Sequence, residues 1–414
     1  MSGSEPEQKR PPRKRRWFQY SLRTLLLFVL ACSIPCSWLA VKLQRARQQR
    51  DAVATIRKCK GGVKYDWEID RSGDPVARAA RPGPAWLRGR LGDDFFDSVV
   101  WVSFPDWDGG RVPLHLRANL RLRGPLWEDA TSVTDADLEK LKRLTQLRAV
   151  CLSGTPISDA GLEHLANIGQ LRFLYLSDTR VTDAGLRHLK RLRQLEDLTL
   201  ARTQVTDAGL EHLKGLTQLQ WLSLEGTRVT NAGLAHLSGL AELNTLRLGS
   251  TRATDVGLEN LKGLKRLQKL DINCSRNGAG LEHLGGLNEL RSLWLSGVND
   301  AGLQHVKRLE QLESLHLGSS QVTDAGLEHI KGLTRLRTLD LPFSKVTDAG
   351  LRSLEGLANL RSLNLSRTKI TDAGLDHLKG LTQLRQLWLL GTPVTDDGVK
   401  KLKQALPNCG IMKW

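Results

Sequence analysis

Residues 195–213 read LEDLTLARTQVTDAGLEHL, and this pattern recurs through most of the chain. Its segment TDAGL begins at Thr206 and returns unchanged at four other places, with variants of it in the remaining repeats. The fourth residue of the segment recurs every 24 residues, except for one interval of 23 and one of 22 between Gly257 and Gly302. A fixed period sustained over about twelve units predicts a repeat architecture, not a set of separate globular domains.

Each unit carries two kinds of apolar spacing. Leu195, Leu198 and Leu200 follow L-x-x-L-x-L, which is typical of a short strand, whereas Leu210 and Leu213 lie three apart, as in a short helix. One unit of this size cannot bury its own leucines, so neighbouring units must stack. We therefore predict an α/β solenoid shaped like a horseshoe, with a parallel sheet on its concave face and short helices on its convex face. At a strand spacing of about 4.8 Å, such a sheet would be roughly 50 Å long.

The start of the chain differs sharply from the repeats. The net charge is +17, and residues 1–60 contain 14 Lys and Arg against 3 Asp and Glu, so the basic excess belongs mainly to this start. A general nucleic-acid-binding surface on the repeats is therefore not predicted. Residues 1–21 are predicted to be a basic disordered tail.

An uncharged run occupies residues 24–41 and reads TLLLFVLACSIPCSWLAV. A helix of that length rises about 27 Å, close to the thickness of a hydrocarbon core, so we predict a single transmembrane helix over 22–42. A cleaved signal peptide, or a lipoprotein signal ending at Cys32, is the alternative interpretation. The cluster Arg13–Arg16 favours a cytoplasmic tail and an extracytoplasmic repeat domain.

Residues 43–115 are predicted to form a juxtamembrane helix and an N-terminal capping region, with strands near Val63–Ile69, Ser98–Phe104 and Val112–Leu122. The repeats are assigned to 116–403 and a C-terminal cap to 404–414, where the pattern breaks.

The repeated residues L-x-x-L-x-L-x-x-T-x-V-T-D-A-G-L-x-x-L resemble the leucine-rich repeat family, most closely its class with Cys or Asn at the ninth position. The hydroxyl that replaces this residue is expected to hydrogen-bond backbone groups of the turn. Only the shortened repeat at Val298 lacks it. The position is filled by Thr155, Thr179, Thr203, Thr227, Thr251, Ser275, Ser320, Ser344, Thr368 and Thr392.

The tail, anchor and repeats together resemble single-pass leucine-rich repeat proteins of bacteria. Relatives of the repeat class include substrate receptors of ubiquitin ligases, but those carry an F-box, and none is seen here.

Two columns of polar residues recur with the repeat. The Asp of TDAGL follows a Thr at the start of a helix, where a capping hydroxyl and a negative charge both stabilise the helix terminus. Most histidines share one register, which raises the question of metal binding or pH sensing. Their place beside the core leucine predicts boundary packing instead, and no metal or other cofactor is predicted. The column is His164, His188, His212, His236, His283, His305, His329 and His377.

The residues between the strand leucines are predicted to face outward, because side chains alternate along a strand. Aromatic rings beside charged groups resemble the anchors of protein interfaces. The predicted partner-binding set is Phe173, Tyr175, Trp221, Glu225, Arg247, Lys269, Asp271, Trp294, His316, Asp340 and Trp388.

We therefore predict a membrane-anchored, non-enzymatic scaffold that binds a protein partner on its concave face. Glycan or cell-envelope binding, and a substrate-recognition subunit of a larger complex, are the alternatives. An enzyme is disfavoured: residues 61–130 contain one His, His115, and Cys151 has no His or Asp in its own unit to activate it. The oligomeric state stays open.

Overall fold

The computed structural model describes residues 22–66, 68, 81–82, 85–91, 93–95, 97–103, 133–275 and 278–413, and the side chains of 22–32, 34, 35 and 86 lie outside this description. The predicted tail 1–21, the predicted strand near 112–122 and the first repeat residues 116–132 therefore also lie outside it. The chain divides into two compact units, one of residues 1–48 and 83–96 and one of residues 49–82 and 97–414.

Helix α1, Leu22–Lys58, joins the predicted membrane span and the predicted juxtamembrane helix into one element. Within the first unit, the Lys42 ammonium lies 3.4 Å from the carbonyl oxygen of Phe95 and 5.3 Å from the centroid of its ring. Where side chains are described, no helix is long and apolar enough to span a bilayer. Most of the predicted span 22–42 lies outside those side chains, so the anchor stays a prediction.

The second unit contains one 14-stranded sheet whose strands follow the order of the chain. The first two strands pair antiparallel, and every later pair is parallel. The predicted leucine-rich repeat solenoid is thus confirmed. The strands are β1 Gly62–Tyr65, β2 Val99–Ser103, β3 Ala149–Cys151, β4 Phe173–Tyr175, β5 Asp197–Thr199, β6 Trp221–Ser223, β7 Thr245–Arg247, β8 Lys269–Asn273, β9 Ser292–Ser296, β10 Ser314–Gly318, β11 Thr338–Asp340, β12 Ser362–Asn364, β13 Gln386–Trp388 and β14 Gly410–Met412.

Short helices alternate with the strands. The remaining α-helices are α2 Ala85–Leu91, α3 Asp135–Leu138, α4 Asp159–Leu165, α5 Asp183–Leu186, α6 Asp207–Leu210, α7 Asp300–Val306, α8 Asp324–Glu328, α9 Asp372–Leu375 and α10 Asp396–Ala405. The 3₁₀ helices are Asp93–Phe95, Glu139–Arg143, Arg187–Arg191, Glu211–Leu213, Gly233–Leu237, Asp255–Leu261, Ala279–Gly286, Gly350–Leu354 and Asp376–Leu378.

The core is a continuous cluster of the repeat leucines, and the residues ahead of the repeats join it. Ala52, Val53 and Ile56 of α1, with Val99 and Val102 of β2, belong to the same buried cluster as the leucines. At the other end β14 pairs with β13, so the segment assigned as a C-terminal cap adds a further strand to the sheet.

The Asp of the TDAG motif joins its repeat to the next, which the sequence did not reveal. The Thr182 hydroxyl accepts from the Ala184 amide at 3.3 Å, so the predicted cap is confirmed. The Asp159 carboxylate, however, accepts from the amide of Thr182 at 2.8 Å and from its hydroxyl at 2.6 Å, one repeat further on. The Asp column therefore stacks repeats as well as placing charge at helix termini.

The ninth-position hydroxyl behaves as predicted in the threonine repeats. Thr179, for example, donates to the carbonyl oxygen of Leu176 at 2.7 Å, and six other threonines do the same. Among the described residues, the buried hydroxyls of Ser320 and Ser344 find no partner.

Candidate functional site

Except for Glu225, which follows β6, the predicted outward residues lie in two registers across the sheet. Trp221 pairs with Thr245, and Thr245 pairs with Lys269. Two residues further along the strands, a second row crosses β7 to β13, and we call its first five members the central row. In order, the second row is Arg247, Asp271, Trp294, His316, Asp340, Asn364 and Trp388.

The central row begins with an ion-pair network. Arg247 lies 3.1 Å from a carboxylate oxygen of Glu225 and 3.6 Å from one of Asp271. Burial raises the pKa of Asp271 above its ordinary value, although the Arg247 guanidinium opposes this effect. The network holds the side chains of Glu225, Arg247 and Asp271 in position, which the leucine pattern alone does not do.

The row continues with stacked rings. The Trp294 and His316 rings lie 4.8 Å apart between centroids, at an interplanar angle of 5°. Nδ1 of His316 is 2.5 Å from an oxygen of Asp340, a hydrogen-bonding distance. The Trp, His and Asp side chains are therefore held in fixed positions on three adjacent strands, and all three remain partly accessible.

Phe173 and Tyr175 do not lie on the accessible surface, so their predicted exposure is wrong. They retain only 8% and 5% exposure and pack with Trp101 of β2. Both ring centroids are 6.4 Å from that of Trp101. Burial, followed by the nearby Asp197 carboxylate, raises the pKa of Tyr175 well above its ordinary value. Cys151, which the strand alternation places on the same face, is buried in the same cluster.

The histidine column lies at the edge of the core. Nδ1 of His164 and of His212 is buried without a partner among the described residues. Burial, with the nearby Lys190, lowers the pKa of His212. Nδ1 of His377 lies 2.7 Å from a Glu355 carboxylate oxygen. Within the described part of the chain, no group of three or more His, Cys, Asp or Glu residues is arranged to hold a metal ion.

One exposed residue is absent from the predicted set. Phe343, just beyond β11, is 62% exposed. It was detectable from the repeat alignment, where its column otherwise holds polar residues, glycine or a single cysteine, as at Asp178, Gly391 and Cys274.

The comparisons with known proteins agree with this architecture. No curated protein matches the chain. An internalin from Listeria monocytogenes is similar in structure, with 22% identity and a TM-score of 0.50, over 69% of this chain and 90% of that one. A leucine-rich repeat protein from Leptospira interrogans shows 17% identity and a TM-score of 0.48, over 66% of this chain and 74% of that one.

A family model described as a leucine-rich repeat region matches residues 129–373, more than half of the chain. This match covers most of the repeats whose strands, capping hydroxyls and buried leucines are described above. The chain therefore belongs to the leucine-rich repeat family.

Proposed function

We propose that this chain is a membrane-tethered, non-enzymatic interaction protein. It binds a protein partner on the concave face of its sheet, the face turned away from the leucine core. The observation that carries the proposal is the central row, in which charged and aromatic side chains are held in place yet remain accessible. Preorganised aromatic and arginine side chains lose little conformational entropy on binding, which is why they dominate protein interfaces.

The site comprises the accessible members of the predicted set, from Trp221 to Trp388. Phe173 and Tyr175 are left out, because a buried ring cannot contact a partner without unfolding the cluster around it. The tether rests on the uncharged run 24–41, and the basic tail supports an extracytoplasmic repeat domain. The repeat sequence supports placement in the class whose ninth residue is Cys or Asn.

Site-specific photocrosslinking in cells tests the sheet-face site. A photoreactive amino acid at Trp294 is expected to give a discrete protein adduct, whereas the same residue at the exposed Gln304 on helix α7 is not. Adding His316→Ala should reduce the Trp294 adduct, because the ring that stacks on this position is lost. Equal adducts at both positions, or none at Trp294, would contradict the site.

The tether has its own test. Reporter fusions after Gly61 and after Trp414 should both report the extracytoplasmic side, and the full chain should remain with membranes after a carbonate wash. Recovery of the chain in the wash would contradict the anchor while leaving the sheet-face site untouched.

A further inference from the structure

The arginines that directly precede the strands differ in whether a carboxylate neutralises them. Arg172, for example, meets Glu196 of the next repeat at 2.6 Å. Within the described parts of the chain, by contrast, the side chains of Arg361 and Arg385 form no ion pair. The same holds for Lys345 and Lys369, which are also exposed.

These arginines form a column along one edge of the sheet. Arg337, Arg361 and Arg385 precede three adjacent strands, β11, β12 and β13. The Arg361 amide donates to the Arg337 carbonyl at 2.8 Å, and the Arg385 amide donates to the Arg361 carbonyl at the same distance. Each arginine of the column therefore lies one strand spacing, about 4.8 Å, from the next arginine. Arg337 shares Glu313 with Arg291, so positive charge is concentrated on the last two members.

Exposed apolar side chains border the opposite end of the same strands. Phe343 and Leu390 are 62% and 36% exposed. Arg367 lies on the repeat between them: its guanidinium carbon is 5.4 Å from the Phe343 ring centroid, and its amide donates to the Leu390 carbonyl at 2.7 Å. Two apolar side chains and one arginine thus form a small patch across three repeats.

The fold does not require a ring at Phe343. Its φ is +59°, in the left-handed region that bulky side chains seldom adopt. The same column holds serine at Ser250 and Ser319, with φ of +58° and +48°. A smaller residue would therefore serve the turn equally well, and the exposed ring contributes nothing to the core.

We propose that this surface binds an acidic, extended segment of a protein partner, whose carboxylates meet Arg361 and Arg385 and whose apolar side chain packs on Phe343 and Leu390. The proposal rests on the proposed function and names the chemistry of the partner. Guanidinium groups favour carboxylates through paired hydrogen bonds. The apolar patch favours a peptide over a sulfated polysaccharide, which has no side chain to place against a phenyl ring.

The strip between the two edges is mostly neutral. Its outward side chains include Thr338, Ser362, Asn364 and Trp388, and its one carboxylate, Asp340, already faces His316. An extended chain places alternate side chains about 6.7 Å apart, so four to five residues cross the three repeats. Acidic side chains on such a segment can therefore reach the arginine edge, and apolar side chains can reach the edge that carries Phe343 and Leu390.

Fluorescence anisotropy with the full chain in detergent tests the proposal. The probe is a labelled synthetic 12-residue peptide that alternates Glu with Phe and Leu, and its comparison peptides replace either Glu by Gln or Phe and Leu by Ser. We expect the parent peptide to bind at least about tenfold more tightly than either comparison, and its affinity to fall as salt rises.

Three variants sharpen the test, and the first two each have a precedent in this chain. The double variant Arg361→Gln, Arg385→Gln places glutamine at a repeat position where two earlier repeats already have it, at Gln220 and Gln268. Phe343→Ser follows Ser250 and Ser319. Both should retain the thermal stability of the parent while weakening the peptide about tenfold. The matched control, Arg308→Gln, changes an exposed arginine away from this surface and should bind the peptide unchanged.

Two results would overturn the proposal. One is equal affinity of the parent chain and the double variant for the acidic peptide. The other is binding of heparin that depends on the two arginines but not on Phe343, with no binding of the peptide, which would assign the surface to a sulfated polysaccharide. Photocrosslinking at Trp294 in the parent chain keeps this test separate from the proposed function, because a partner adduct there is observed whether or not the acidic peptide binds.

Discussion

The space above each TDAG glycine is occupied by a carboxylate from the preceding repeat. At Gly209, an added Cβ would fall within 3.0 Å of a carboxylate oxygen of Asp183. That carboxylate cannot withdraw cheaply, because it accepts from the amide of Thr206 at 2.8 Å and from its hydroxyl at 2.6 Å. The glycine is therefore required by the neighbouring repeat and not by its own backbone angles.

Gly209→Ala should consequently destabilise the second unit by about 1–3 kcal/mol, the usual cost of forcing an extra carbon into a packed site. The measurement is chemical denaturation followed by circular dichroism. Gly215→Ala is the control, since an added Cβ there meets nothing within 4 Å, and it should be neutral or slightly stabilising. Equal stability of the two variants would show that Asp183 can move aside.

The carboxylate of Asp372 predicts a pH dependence at the last repeat. The Thr395 hydroxyl and amide donate to it and hold the pKa of Asp372 below its ordinary value of 3.8. A carboxyl with a lowered folded-state pKa stabilises the fold above its ordinary pKa, and this contribution disappears as pH falls through the lowered value. Amide protection of Thr395 should therefore decrease below about pH 4.

Asp372→Asn should reduce this change in protection, because an amide does not titrate. The substitution is structurally reasonable, since Asn231 takes the same place and accepts from the Thr254 amide at 2.8 Å. Unchanged protection of Thr395 between pH 5 and pH 3 in the parent chain would contradict the prediction.

Strand β4 shows which side-chain positions the repeat period predicts and which contacts it does not. Alternation places Phe173 and Tyr175 on the outer face, where they indeed lie. A ring that packs beside them is not periodic: Trp101 lies on β2, ahead of the repeats, and no repeat spacing links it to β4. Burial of an outward position thus depends on a contact that lies outside the motif.

Tyr175→Ala should therefore destabilise the protein by about 3–5 kcal/mol, as expected for removal of a buried ring. Trp294→Ala, on the accessible part of the face, should cost much less and act mainly on partner binding. Urea denaturation of the two variants provides the measurement. A small loss of stability in Tyr175→Ala together with a large loss in Trp294→Ala would contradict the assignment of Tyr175 to the core and Trp294 to the surface.

The short helices mark another limit of the sequence. The same motif DAGL begins an α-helix at Asp183, whereas at Gly350 the turn is 3₁₀. One turn of helix has few internal hydrogen bonds, so small differences in neighbouring repeats decide between the two forms. Leucine positions, in contrast, follow directly from periodicity, because a leucine displaced by one residue along a strand would leave the core.

The buried cluster of the second unit extends without interruption from Ala52 to Cys409. Each repeat contacts chiefly its neighbours, so an end layer has one neighbour and depends on a cap. The sequence predicts that residues 43–115 provide this cap but does not identify which of their side chains contact the leucines. The N-terminal layer contains Ala52, Val53, Ile56 and Cys59, and all of them are nearly inaccessible to solvent.

Deletion of residues 1–60 should for this reason uncover apolar surface on β2 and the first repeats. We expect a lower midpoint of thermal unfolding and a concentration-dependent shift toward larger species in size-exclusion chromatography. Deletion of residues 1–40 is the matched control. It ends before Ala46, the first buried residue of α1, and so keeps Ala52, Val53 and Ile56, which belong to the core of the second unit. If the two deletions unfold at the same temperature and both remain monodisperse, the end of α1 does not protect the repeats, and the first layer must be stable without it.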